Sequence, residues 1–164
     1  MPNPLRGIGL PQRRRLTRRS FTVIVILTLI ASYAIAWDRT RGTQKRLNRA
    51  IILMSKGQHE ESLKLYNRVL SRWHRSKLAW TGKGLCELNL GRYDEALESY
   101  DTLLKIDPQS LQALQGKGMS YEMLGRYDEA INCFRVIRNI NPTVLETQRQ
   151  IDRINRRRSG TLLK

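Results

Sequence analysis

Cysteine and histidine are nearly absent from this chain of 164 residues: only Cys86, Cys133, His59 and His74 occur. Two cysteines cannot make a disulfide framework. Each falls in a helical segment where a thiol serves as a small apolar residue, and whether the two pair is left open. Neither histidine has a partner at metal-ligand or general-base spacing, which argues against the commonest metal and acid–base sites. A phosphate loop is missing as well, since Gly82-Lys83-Gly84 lacks the rest of the Gly-x-x-x-x-Gly-Lys-Ser/Thr pattern. The expectation is a protein with no catalytic residue, no cofactor and no metal, and hence not an enzyme.

Acidic residues are the next shortage. Fourteen Asp and Glu face 30 Lys and Arg, for a net charge of +16, and the excess sits toward the two ends. Residues 1–42 hold eight cations against Asp38, and 43–76 hold eight against Glu60 and Glu61. These cations adjoin an apolar stretch and form no stripe interleaved with exposed aromatics. That arrangement disfavours nucleic-acid binding and points to a membrane surface or a topology signal.

From Phe21 to Trp37 charge is missing altogether, and every helical face of the run is apolar. At about 1.5 Å per residue it spans roughly 25 Å, the short end of a bilayer crossing, with Tyr33 and Trp37 suited to the far interface. The reading is a single-pass signal anchor. It follows a basic, disordered N-terminus at 1–20 whose arginines lie on anionic headgroups. A positive-inside count favours a cytoplasmic N-terminus by a small margin, because both flanks are basic. The rival reading is a secretory signal cleaved after Ala36, which gives an exported protein with an envelope or lumenal partner. Against it, the run exceeds the apolar region of about 7–15 residues usual in such signals.

What is abundantly present is a repeat. Leu-Gly-Arg-Tyr-Asp-Glu-Ala runs from Leu90 to Ala96 and returns unchanged from Leu124 to Ala130, a shift of 34 residues. The same shift carries Gly82-Lys83-Gly84 onto Gly116-Lys117-Gly118, Tyr100 onto Phe134, and Asp107-Pro108 onto Asn141-Pro142. One period earlier, Gly57, Ser62 and Tyr66 mark a degenerate first copy. This pattern resembles the tetratricopeptide repeat (TPR), a helix-turn-helix unit that stacks into a superhelix.

The resemblance implies an all-α fold: a TPR superhelix of three repeats plus a C-terminal capping helix, preceded by one N-terminal transmembrane helix. The expected segments are a linker at 38–42, repeats at 43–76, 77–110 and 111–144, a capping helix at 145–158 and a tail at 159–164. Within each repeat, helix A closes on a left-handed glycine (Gly57, Gly91, Gly125), and Asp94 and Asp128 cap helix B. Aromatics that recur with the repeat, Tyr66, Tyr100 and Phe134 among them, belong to the core.

In this family the inner surface, lined mainly by A helices, binds a peptide or a partner's extended segment. The positions implied here are Leu47, Ile51, Met54, Leu78, Thr81, Leu85, Leu88, Asn89, Gln112, Gln115, Met119 and Glu122, an apolar and adaptable groove. The best-known branch holds the carboxyl terminus of heat-shock chaperones with a clamp of Lys, Asn and Arg. The corresponding places here hold Leu47, Ile51, Gln112 and Gly116, so no chaperone carboxylate clamp is expected. The expected partner is a protein, either a peptide or a subunit of a membrane complex. Self-association or packing on the membrane-proximal segment is the other use of such an apolar patch. Three-repeat proteins with one N-terminal span also resemble factors that assemble membrane complexes.

Overall fold

The computed structural model describes the backbone of residues 18–143 and 145–162 and the side chains of 25–33, 40–143 and 146–160. The expected basic segment 1–20 lies outside these residues except for the backbone of 18–20, as do residues 163 and 164 of the expected tail. The described residues form seven helices: α1 Arg18–Ser55, α2 His59–Leu70, α3 Lys77–Asn89, α4 Tyr93–Ile106, α5 Leu111–Met123, α6 Tyr127–Ile140 and α7 Leu145–Leu162. The chain divides into two units, Met1–Arg41 and Gly42–Lys164.

In the first unit the side chains from Val25 to Tyr33 are exposed on every face of α1. Leu29 is 63% and Ile30 59% exposed. Thr28 and Ser32 donate their hydroxyls to the carbonyl oxygens of Val25 and Leu29, so neither polar group is left without a partner. Side chains 21–24 and 34–37 of the expected span lie outside the described residues. Over the described residues, no helix is long and apolar enough to cross a membrane. The linker expected at 38–42 is corrected, because α1 runs through it. Asp38-Arg39-Thr40-Arg41-Gly42 contains no proline, and a lone helical glycine costs only about 1 kcal/mol.

The second unit stacks helices in series, α2 on α3, α3 on α4, α4 on α5, α5 on α6 and α6 on α7, with α3 also touching α5. Local chemistry sets each boundary. The hydroxyls of Ser76 and Ser110 accept the backbone N–H of Ala79 and Ala113, which caps α3 and α5. Gly57, Gly91 and Gly125 follow α1, α3 and α5 at φ 76°, 76° and 74°, a conformation that Cβ-bearing residues rarely adopt. Asp94 and Asp128, expected as caps, are not. Arg92 and Arg126 hold the N-cap positions of α4 and α6 without a side-chain cap, and the carboxylates sit in the first turn, where they meet the helix dipole. α4 and α6 end two residues ahead of Pro108 and Pro142, on extended Asp107 and Asn141.

Small residues let the paired helices approach. Ala50, Ser62, Ala96 and Ala130 are fully buried, and the Ser62 hydroxyl donates to the Ala50 carbonyl at 2.8 Å. Tyr66, Val69, Tyr100, Leu103, Phe134 and Ile137 fill the space between. Ile151 and Ile154 of α7 complete the core behind α5 and α6. α7 continues to Leu162 rather than ending at 158. Its last turns are tied back: Arg157 to Glu122 and Arg158 to Asp128.

Candidate functional site

Successive A helices lie side by side, and between α3 and α5 they leave a hollow of about 220 Å³. Thr81, Leu85 and Leu88 line it from α3, and Gln112, Gln115, Gly116 and Met119 from α5. Tyr100 of α4 forms its floor. Burial, then Glu87 and Cys86 nearby, hold that phenol well above its usual pKa, so it stays protonated at any physiological pH. No lysine, arginine, aspartate or glutamate is among the lining residues.

Polar capacity at the rim is confined to amides. The Thr81 hydroxyl donates to the Lys77 carbonyl at 2.9 Å and the Asn89 amide to the Leu85 carbonyl at 2.8 Å, both within α3. Gln112 and Gln115 are exposed, and neither amide is bonded to another described residue. The hollow therefore presents apolar walls with two glutamine amides able to accept and donate.

Six of the twelve residues expected in the groove meet here: Thr81, Leu85, Leu88, Gln112, Gln115 and Met119. Six do not. Leu47 is 4% exposed and packs among Ala50, Leu63, Tyr66 and Val69, so it is core rather than groove. Met54 is half-buried against the same cluster. Ile51, Leu78 and Asn89 are exposed and do not line the hollow. Glu122 is buried under α7, where Arg153 and Arg157 each reach one of its oxygens at 2.8 Å. Tyr100 is the residue that sequence reasoning left in the core. Its signal was the 34-residue echo of Tyr66 and Gly82 in Tyr100 and Gly116.

The Gly-Lys-Gly tripeptides form no loop. Lys83 lies within α3, pairs with buried Glu87 at 2.9 Å, and donates to the Ser99 hydroxyl, which itself donates to Glu87 at 2.6 Å. Lys117 lies within α5 and is held by Asp101. Among the described residues, no three of His, Cys, Asp and Glu cluster in a way that could hold a metal ion. Cys86 and Cys133 are both free and buried.

Comparison with known proteins gives the geometry a family. Residues 47–110 match one family model described as tetratricopeptide repeat, and residues 87–148 match a second with the same description. No curated protein matches. The Arabidopsis OM64 TPR domain is similar in fold, with 16% identity and a TM-score of 0.66 over 71% of this chain and 96% of that one. The second TPR domain of human RPAP3, solved with the HSP70 peptide SGPTIEEVD, is 18% identical with a TM-score of 0.64 over 67% and 92%. The Sgt2 TPR domain from Aspergillus fumigatus is 14% identical with a TM-score of 0.67 over 74% and 82%. Identities this low speak for the fold alone. The family matches together run from 47 to 148, more than half of the chain, and this protein belongs to the tetratricopeptide-repeat family.

Proposed function

We propose that this protein is a non-catalytic, membrane-anchored adaptor, an assembly factor whose α3/α5 groove holds an extended segment of a membrane-complex subunit. The observation that carries the reading is the hollow between Leu85, Leu88 and Met119, rimmed by the two unengaged amides of Gln112 and Gln115. One apolar side chain of a bound segment enters the hollow while its backbone meets the glutamines. Methionine and leucine repack around different side chains, which suits a groove that accepts a range of shapes.

The RPAP3 domain was solved with a peptide that ends in acidic residues. A pair of carboxylates needs charge-assisted donors, and no lysine or arginine lines this hollow. The ligand class proposed here is therefore uncharged and apolar.

Anchoring rests on the charge-free run from Phe21 to Trp37. Its described part is exposed on all sides, and the hydroxyls of Thr28 and Ser32 are satisfied within the helix, as a bilayer interior requires. The small positive-inside difference puts the N-terminus in the cytoplasm and the repeats on the far side.

The test is a photo-crosslinking residue at Met119 in the full chain, illuminated in native membranes, with and without Leu85→Lys. The expected adduct is a subunit of a membrane complex, and it disappears in the Lys variant while the helical circular dichroism is unchanged. An adduct that survives Leu85→Lys removes the groove from the reading. A chain that carbonate washes off the membrane, or that begins at Trp37, removes the anchor.

A further inference from the structure

The cations of the first repeat behave differently from those of the next two. Five of the eight cations of those two repeats, Lys77, Lys83, Arg92, Lys117 and Arg126, hold a carboxylate, and Lys105, Arg135 and Arg138 hold none among the described residues. Lys45, Arg49, Lys56, Lys64, Arg68 and Arg72 are all exposed, and none of them forms an ion pair with a described residue. Residues 43–76 contain only two carboxylates, and one of them, Glu60, is taken by Arg92 of the following repeat.

Helical periodicity sets these charges on the solvent sides of the two helices. On α1, the buried side is Thr43, Leu47 and Ala50. Lys45 and Arg49 fall about 200° and 240° around the helix from Thr43, so they project from the opposite side, and Lys56 follows just past the helix end. On α2, Ser62, Leu63, Tyr66, Val69 and Leu70 are buried, and Lys64 and Arg68, followed by Arg72 just past the helix end, lie across from them. A helix dipole accounts for cations near the C-terminal end of α2. It does not account for Lys45 and Arg49.

We infer that this cationic face of the first repeat docks on anionic lipid headgroups, so that the protein selects anionic bilayers. The inference rests on the anchoring reading for its location: only seven residues separate Trp37 from Lys45. Two features set lipid above nucleic acid. The face offers little aromatic surface on which bases could stack: Tyr66 is 1% exposed, and Trp73, beside Arg72, is half-buried. Its charges are spread over two helices, as suits a surface of mobile headgroups near which each Lys or Arg adds affinity.

The experiment uses the full chain with Ser71→Cys carrying a fluorophore. Ser71 is exposed between Arg68 and Arg72, and the native cysteines are buried. The protein is reconstituted in phosphatidylcholine vesicles, or in vesicles with about one-third phosphatidylglycerol, each containing headgroup-nitroxide lipid as quencher. Quenching is expected to be at least about threefold stronger in the anionic vesicles and to vanish near 1 M salt, where the Debye length is about 3 Å. It is also expected to vanish in the Lys45→Glu, Arg49→Glu, Lys64→Glu variant, which still floats with both vesicle types. Equal quenching in neutral and anionic vesicles overturns the inference. Release of the label by a single-stranded oligonucleotide at equal phosphate concentration also overturns it, in favour of nucleic acid. A chain that floats with neither vesicle type overturns the anchor and the docking together, whereas one that floats only with anionic vesicles overturns the anchor and upholds the docking.

Discussion

The ring of Tyr100, on the second helix of one repeat, occupies the space that a β-carbon on Gly116 of the next repeat would need. Tyr66 stands in the same relation to Gly82, 34 residues earlier. Each junction between repeats is thus a ring laid on bare helix backbone. Glycine inside a helix normally costs about 1 kcal/mol against alanine, so Gly116→Ala would stabilise if only propensity mattered. Here the added methyl meets a buried ring, and overpacking of about 1–3 kcal/mol wins. Gly116→Ala and Gly82→Ala are expected to lower the midpoint of urea unfolding. Gly160→Ala, with nothing within 4 Å, is expected to leave it unchanged or raise it. Equal behaviour of the three would show that the rings yield without cost.

The third junction departs from this pattern. One period beyond Gly116 stands Gln150 of α7, and a hollow of about 120 Å³ opens there among Leu111, Phe134 and Ile137. The side-chain amide oxygen of Gln150, Oε1, is buried without a hydrogen-bond partner. An unsatisfied buried acceptor costs about 1–3 kcal/mol. Gln150→Met keeps the volume and removes the acceptor, so it is expected to stabilise by about 1 kcal/mol in denaturant unfolding. A destabilised variant would mean that the bond from the Gln150 amide to Glu146 outweighs the orphaned oxygen.

Period alone carried the turns, because a left-handed glycine and a small crossing residue are local requirements that recur in register. It also contained the helix caps, since Ser76 and Ser110 precede Ala79 and Ala113 at the same 34-residue shift; the eye goes instead to Asp94 and Asp128. Period misleads where neighbours differ. Thr81 and Gln115 face the hollow, but their counterpart Leu47 is apolar and turns into the core with Leu63 and Tyr66. Leu88 lines the hollow, but its counterpart Glu122 lies under α7, whose arginines come from 31 and 35 residues along the chain. α7 covers the place a groove would occupy there, and charge takes over from apolar packing. Tyr100 was legible as core, not as the floor of a groove, because the hollow exists only once two A helices are placed side by side.

Glu122 and its two arginines predict an asymmetry. Glu122 has a side chain only 4% exposed, whereas Arg153 and Arg157 are 46% and 54% exposed. Removing the carboxylate leaves two solvated guanidiniums, and Glu122→Gln is expected to cost about 1–2 kcal/mol, near the value of charged hydrogen bonds. Removing both arginines strands a buried carboxylate, so Arg153→Ala with Arg157→Ala is expected to cost about 3 kcal/mol or more. Hydrogen exchange along α7 should rise in both cases, and further in the second. If the arginine pair proves the cheaper loss, water reaches Glu122 and the clasp contributes little to holding α7.

The buried phenols and thiols predict how the fold fails in alkali. Burial raises Tyr66, Tyr100, Cys86 and Cys133 above their ordinary values of 10.0 for tyrosine and 9.0 for cysteine. Neighbouring Glu87 adds to the effect at Tyr100 and Cys86, while Lys117 opposes it at Cys133. The unfolded chain therefore releases these protons first as pH rises. Their contribution to stability is complete below the ordinary thiol value, declines once the pH passes it, and is lost by the raised folded values. Urea unfolding is expected to give a plateau from neutral pH to about 8.5, then a steady fall through about 10.5. Tyr100→Phe removes one of the four titrations, so the fall should be shallower in that variant even if its stability at neutral pH is lower. Over the same range, a thiol reagent should label Cys86 and Cys133 only at the rate at which the core opens. Prompt labelling of the native protein at neutral pH would show that the helices around Cys86 part far more readily than a fully buried side chain implies.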